Sequence, residues 1–248
     1  MNIEDYADHS PQYYGMELPV WLFRSFVQYC FLRESSADDI SVLDIGCGDG
    51  SLINSLIKEN ICPPVLQLNA IDLSQKRIDI VKKNFPTVNA RVDSAETLDT
   101  VKDGSIDFAI SMMVIEHVAD FKFIRTLFRV LKPKGTAYIT TIYKKPWAKW
   151  FYRNSNGESV LDPTHIWEYD EDDAKHLLIY MKQEGFSIIH DKKIPLWYSI
   201  IDPIIKLFKI KDRRFTDNKL MQLLKKIKIP VPGYYEWEIV LKKEVNSL

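Results

Sequence analysis

Two hydrophobic periods alternate along the chain. Short apolar runs rich in β-branched residues stand at 40–45, 66–73, 88–92, 106–110 and 136–142, and each reads as a buried strand. Between them apolar residues recur at helical spacing: Leu52, Ile53, Leu56 and Ile57, then Ile78 and Val81, then Phe121, Ile124, Leu127, Phe128 and Leu131. Ser74 and Asp120 are placed to cap the second and third of these helices, and Asn60, Pro86 and the Pro133/Gly135 pair to end them. Asp170 and Gly185 bound a further helix with Ala174, Leu177, Leu178 and Met181 on its inner side. A sixth strand begins at 186–189, residues 234–241 alternate like a seventh, and 21–32 reads as a helix ahead of the first strand.

Strands joined by single helices pair in parallel, because a parallel connection needs a dozen or more residues. The expected fold is an open, doubly wound, mostly parallel α/β sheet of seven strands with helices on both faces. The last strand follows the sixth without a simple crossover helix, so it is expected to be antiparallel. Residues 1–248 read as one domain: an N-terminal extension (1–39), a core (40–142) and two insertions (143–169 and 194–233) forming a cap.

In such a sheet ligands bind beyond the carboxyl ends of the strands. The first strand ends there in Gly46-x-Gly48-x-Gly50, where glycine permits positive φ and close backbone approach to a ligand. A dinucleotide fingerprint requires G-x-G-x-x-G, and position 51 is Ser51, which counts against a pyrophosphate site. Asp72 ends the second strand, where a carboxylate can accept hydrogen bonds from both hydroxyls of a ribose. Together the glycine turn and Asp72 favour a nucleoside ligand.

Five segments now carry a resemblance: Val42-Leu-Asp-Ile-Gly-Cys-Gly-Asp-Gly50, Ala70-Ile-Asp-Leu-Ser74, Asp93-Ser-Ala-Glu-Thr-Leu98, Ser111-Met-Met-Val-Ile-Glu-His-Val118 and Arg129-Val-Leu-Lys-Pro-Lys-Gly135. In that order and spacing the chain resembles the class I S-adenosylmethionine-dependent methyltransferases, in particular the ubiquinone-biosynthesis-type subgroup. The resemblance implies S-adenosylmethionine as cofactor and methyl transfer to a small-molecule acceptor. It implies that Asp44, Gly46, Cys47 and Gly48 hold the methionine end, that Asp72 takes the ribose, and that Leu73 packs on the adenine. Ser94 and Ala95 would line the adenine edge, although the subgroup often has Asp where Ser94 stands. Ser111 and Met112 would lie near the sulfonium, and Glu116 with His117 matches the family's Glu-His pair.

Methyl transfer from a sulfonium mainly demands alignment, and a base is needed only for a protonated acceptor. His117, and His165 in the first insertion, are the candidate bases; His9, His176 and His190 are assigned no role. The first insertion holds seven aromatics in 27 residues, suiting a lid that excludes water and clasps an apolar or ring-shaped acceptor. Tyr143, Trp147, Trp167 and Tyr169, with Tyr14 of the extension, are the candidate acceptor contacts. A quinone, lipid or saccharide precursor is the guess for the acceptor. A protein that keeps the cofactor without catalysis is the alternative.

Composition bounds these readings. At 12% aromatics and a net charge of -1 the chain is neither disordered nor uniformly basic. The neutrality is a cancellation: residues 1–120 carry 9 basic and 19 acidic side chains, residues 121–248 carry 24 and 15. The acidic half holds the cofactor motifs, which suits a cationic sulfonium. The segment 202–228 carries nine basic and three acidic residues among apolar faces and could lie on an anionic membrane surface. It lacks the aromatic interleaving of a nucleic-acid platform, so no nucleic acid is expected. Cys30, Cys47 and Cys62 form no C-x-x-C pair, so no disulfide framework and no metal is expected. No apolar run approaches the roughly 20 residues of a membrane span, and with an acidic N-terminus the expected location is the cytoplasm.

Overall fold

The computed structural model describes residues 19–32, 40–58, 66–200, 223–224 and 227–245. Tyr14 and nearly all of 202–228 lie outside the described residues. In chain order the elements are α1 (Val20–Leu32), β1 (Ile40–Ile45), α2 (Ser51–Lys58), β2 (Leu66–Asp72), α3 (Gln75–Asn84), β3 (Asn89–Val92) and β4 (Ile106–Met112). A 3-10 turn (Ile115–His117) leads to α4 (Asp120–Val130) and β5 (Leu131–Lys144). A small hairpin, β6 (Tyr152–Arg153) and β7 (Ser159–Val160), precedes α5 (Glu171–Gln183), β8 (Phe186–Ser199) and β9 (Lys228–Lys243).

The main sheet has the order β3-β2-β1-β4-β5-β9-β8. Its first five strands run parallel, and β9 lies antiparallel between β5 and β8. β1 is buried along its whole length, as its unbroken apolar run requires of a central parallel strand. Alternation sends Val42, Phe108, Ile110, Tyr138 and Val240 to one face, against Leu22 and Phe26 of α1 and Leu52 and Leu56 of α2. Leu43, Ile45, Ala109, Ile139 and Trp237 go to the other, against Ile124 and Leu127 of α4 and Leu177 and Met181 of α5.

Three local details differ from the expected elements. Asp120 is the first residue of α4 and not its cap: Ala119 precedes the helix, and its amide is taken by the Glu96 side chain at 2.9 Å. Leu131, expected on the helix face, already pairs with Ile106 as the start of β5. Pro133 cannot continue a helix, and Gly135 fits because an added Cβ would stand 2.8 Å from the Lys132 carbonyl oxygen. The ladder between β8 and β9 continues past a bulge to Trp197 opposite Pro230 and Ser199 opposite Lys228. Residues 194–199 and 228–233 therefore belong to strands, and the second insertion is shorter than 194–233. Ser74 and Asp170 do cap α3 and α5, Asp170 within a capping box with Asp173. Among the described residues no helix is long and apolar enough to cross a membrane.

Candidate active site

The strand order reverses between β1 and β4, which opens a crevice at their carboxyl ends. A cavity of about 350 Å³ lies there, lined among others by Gly46, Asp72, Leu73, Asp93, Met112 and His117. Gly46 has φ +73, and a Cβ on it would stand 2.4 Å from Val114 Cγ2, so both backbone and space require glycine. The amides of Gly46 and Cys47 donate to the Ile71 carbonyl at 2.8 and 2.9 Å, which binds the turn to the end of β2. Asp72 completes the tie: its Oδ2 accepts from Gly48 N at 3.0 Å and its Oδ1 from Ser74 N at 2.9 Å.

Asp44, at the end of β1, is buried, and its Oδ2 has no hydrogen-bond partner. Burial first and the nearby Asp72 second push its carboxyl up to about 7. An orphaned buried carboxylate beside a glycine turn is a place where a cationic group is favoured. Asp93 organises the next loop, accepting from Ser94 N and Asp99 N through Oδ1 and from Thr100 N and Oγ1 through Oδ2.

The residues expected at the cofactor divide. Gly46, Asp72, Leu73, Ala95 and Met112 line the cavity. Cys47 packs instead with Ile53, Ala70 and Ile78, and burial, then Asp44, drives its thiol pKa up. Gly48 is outside the cavity lining and gives its amide to Asp72, and Ser94 turns its hydroxyl to the Glu96 amide at 3.2 Å. Ser111 is buried with its hydroxyl unpaired. Arg77, Asp93, Met113, Val114, Val118 and Thr164, for which the sequence suggests no role, also line the cavity. Positive φ at Met113 (55°), which carries no sequence signal, follows β4 and leads to Val114, which stands against Gly46.

Among the expected acceptor contacts, Tyr143 and Tyr169 are core residues, buried with Trp237, and their hydroxyls go to Glu171 and Asp120. Their aromatic surface is therefore spent on packing. Trp147 is 64% exposed and covers Gly233, while Trp167 is half exposed and donates Nε1–H to the Val118 carbonyl at 2.9 Å.

The two histidines meet. His117 lines the cavity and its ring stands edge-on to His165, centroids 4.8 Å apart. The Thr164 hydroxyl gives its proton to Asp162 at 2.6 Å, so His117 Nδ1, 3.1 Å from the same oxygen, is the donor to it. His165 Nδ1 lies 2.7 Å from Glu168 Oε1. Burial, then His165, holds His117 down to about 4. Glu116 is fully buried and pushed up to about 7 by that burial; its Oε2 accepts from Thr141 at 2.9 Å and its carbonyl from the Ile166 and Trp167 amides.

This fold and cavity define an α/β domain with a ligand crevice at its switch point, and the comparisons make the class specific. A family model described as "Methyltransferase domain" matches residues 22–191. The ubiquinone biosynthesis O-methyltransferase of Bartonella tribocorum is 32% identical over 133 residues, which are 50% of this chain and 49% of that protein. The tRNA N(3)-methylcytidine methyltransferase of Schizosaccharomyces pombe is 32% identical over 126 residues, 46% of this chain and 40% of that one. The chain spans about half the length of these curated relatives. The solved structure of Haemonchus contortus phosphoethanolamine N-methyltransferase 2 in complex with S-adenosyl-L-methionine superposes with a TM-score of 0.56 at 15% identity, covering 91% of this chain and 53% of that one.

The chain belongs to the class I S-adenosylmethionine-dependent methyltransferases. Its residues fit that cofactor: Asp44 offers an unpaired buried oxygen, Gly46 bare backbone, and Asp72 a carboxylate at the cavity wall.

Proposed function

We propose that the protein moves a methyl group from S-adenosylmethionine to a small-molecule acceptor. When bound, that cofactor supplies a methyl already activated on a sulfonium. Asp44 and the Gly46–Gly48 backbone would hold its methionine end, Asp72 the ribose hydroxyls, and Leu73 with Ala95 the adenine. Met112, ending β4, would border the reacting carbon, with buried Ser111 beneath it. Positioning of this kind can contribute about 7–11 kcal/mol to a displacement.

The acceptor would enter beside Met112 and His117, beneath the insertion that carries Thr164 and Trp167. A hydroxyl acceptor must lose its proton, and His117 is the imidazole on the cavity wall, with His165 directly behind it. Burial keeps His117 in the neutral form at neutral pH, the form in which an imidazole can act as a base. We place the acceptor in the quinone, lipid or saccharide range, a range compatible with the ubiquinone biosynthesis relative. The basic segment 202–228 would bring the protein to an anionic membrane face from the cytoplasm, and no nucleic-acid acceptor is proposed.

The observation that supports the reading is that Gly46 and Asp72 line one cavity, with the buried carboxyl of Asp44 close enough to Asp72 to feel its charge. Calorimetric titration with S-adenosylhomocysteine tests it: one saturable site per chain is expected. No heat of binding would remove the cofactor, and with it the reaction. Labelled methyl transfer across a metabolite panel then tests the acceptor class.

A further inference from the structure

His190, given no role by the sequence, joins α1 to the last two strands of the sheet. Its ring stacks on Trp21 of α1, with centroids 3.9 Å apart and planes inclined by 24°. Its Nε2 stands 3.5 Å from Glu238 Oε2 of β9. We propose that His190 is a proton-sensitive latch, which holds α1 against the sheet while its imidazole is charged and loosens that hold when the proton leaves.

The two partners are incomplete as they stand. Both side chains are almost sealed from water, 9% exposed for His190 and 4% for Glu238. Glu238 Oε1 accepts from the Tyr138 hydroxyl at 2.6 Å. Glu238 Oε2 and His190 Nε2 each lack a hydrogen-bond partner, and unpaired polar atoms in such a place are costly. An imidazolium completes both at once, because closing the gap to about 2.7–2.9 Å makes a charge-assisted bond. The same positive ring then lies against the electron-rich face of an indole. A neutral imidazole keeps the stacking and gives up the charge.

The charges around the ring come from four elements. β9 presents Glu238 and, one pleat along the same face, Glu236. β5 presents the Tyr138 hydroxyl, and α1 presents Arg24, whose guanidinium stands 4.7 Å from the Trp21 ring centre. On β8 itself Asp191 turns to the Trp237 indole at 2.7 Å, and Lys192 pairs in register with Glu238. Glu238 is the charge within reach of the ring nitrogen, so its attraction leads over the guanidinium at Trp21. Histidine is the side chain that ordinarily changes charge between pH 5 and 8. Since the charged form makes the contacts, the hold on α1 is present on the acid side of that window and is lost as pH rises.

The helix so held borders the cavity. Leu22 and Phe26 of α1 belong to the apolar cluster that Met112 packs against, and Met112 lines the cavity. Releasing α1 therefore loosens one cavity wall. The effect on cofactor affinity rests on the methyl-transfer reading, whereas the latch itself does not.

Hydrogen exchange of the full chain at about pH 5.5 and 8, corrected for intrinsic rates, tests the latch. Amides of α1 are compared with those of α4, which packs on the opposite face of the sheet, so that changes in global stability cancel. Protection of α1 relative to α4 is expected to fall about five- to tenfold from the lower pH to the higher, the difference between a charge-assisted bond and a neutral one. His190→Gln and Glu238→Gln should each make that ratio independent of pH, and Arg24→Ala should keep the fall. Circular dichroism certifies the fold of each variant. Should Glu238→Gln not fold, His190→Gln, on the edge strand, carries the test. A pH-independent ratio in the parent chain, or a fall that survives His190→Gln, overturns the proposal. The expected fall in a chain that does not bind S-adenosylhomocysteine would overturn the cofactor reading instead.

Discussion

The carboxylate of Asp72 accepts the backbone amide of Gly48 at 3.0 Å, so the acid expected at the ribose also braces the glycine turn. Its other oxygen takes the Ser74 amide at the entry of α3. Asp72→Ala removes a ligand contact and two structural acceptors at once. Charge-assisted hydrogen bonds contribute about 1.5–3 kcal/mol each, and two of them to ribose hydroxyls correspond to at least about a 100-fold loss of S-adenosylhomocysteine affinity. Calorimetry of the variant measures it, and an unchanged dissociation constant would remove Asp72 from the site. Asp72→Asn, which keeps one acceptor oxygen, should fall between.

Gly46→Ala separates two costs. The left-handed backbone at φ +73 disfavours any side chain, at about 1–3 kcal/mol, and the new Cβ would press on Val114 Cγ2. Gly46→Ala is expected to lower the melting temperature and to abolish cofactor binding. Val114→Ala added to it should restore part of the stability, since only the clash is relieved. Melting curves of the three variants decide it: no recovery in the double variant would mean that backbone strain dominates.

Much of this is legible in the amino-acid sequence. Buried parallel strands announce themselves as unbroken apolar runs, so β1 is found to the residue, and Ser74 and Asp170 mark helix starts through side-chain chemistry that acts locally. The antiparallel last strand followed from the missing crossover. What escaped depends on distant contacts. The Glu96 side chain reaching the Ala119 amide carries no local signal. Tyr143 and Tyr169 look like lid residues because an insertion rich in aromatics and charges does not say which rings turn inward, and their neighbour Trp237 lies far along the chain. The same holds for Glu116 and His165, brought together by the backbone bonds from Ile166 and Trp167 to the Glu116 carbonyl.

That pinning is itself testable. Trp167 spends its indole N–H on the Val118 carbonyl, beside the cavity. Trp167→Phe keeps the packing and deletes the bond, a loss of about 1 kcal/mol, which is about 2–4 °C in melting temperature for a domain of this size. Cofactor affinity should stay within about twofold, because Asp44, Gly46 and Asp72 are untouched. A melting temperature identical to the parent's would show that this bond does not hold the insertion down.

Asp44 makes cofactor affinity depend on pH. Its carboxyl titrates at about 7 in the folded chain, against an ordinary value of 3.8, because burial and Asp72 disfavour the charge. Between those values the folded chain holds a proton that the unfolded chain has lost. Stability without ligand should therefore fall as pH rises from about 4 to about 7 and level off above, by an amount on the order of a few kcal/mol. A cationic ligand group beside Asp44 favours the carboxylate, so binding below pH 7 releases a proton. Affinity for S-adenosylhomocysteine, whose α-ammonium is the cation, should rise by up to tenfold per unit toward pH 7 and then flatten. Calorimetry at pH 6 and 8, in buffers of different ionisation enthalpy, reads both the affinity and the proton. Equal affinities with no buffer dependence would place the ammonium away from Asp44, whereas Asp44→Asn should remove the pH dependence and weaken binding at pH 8.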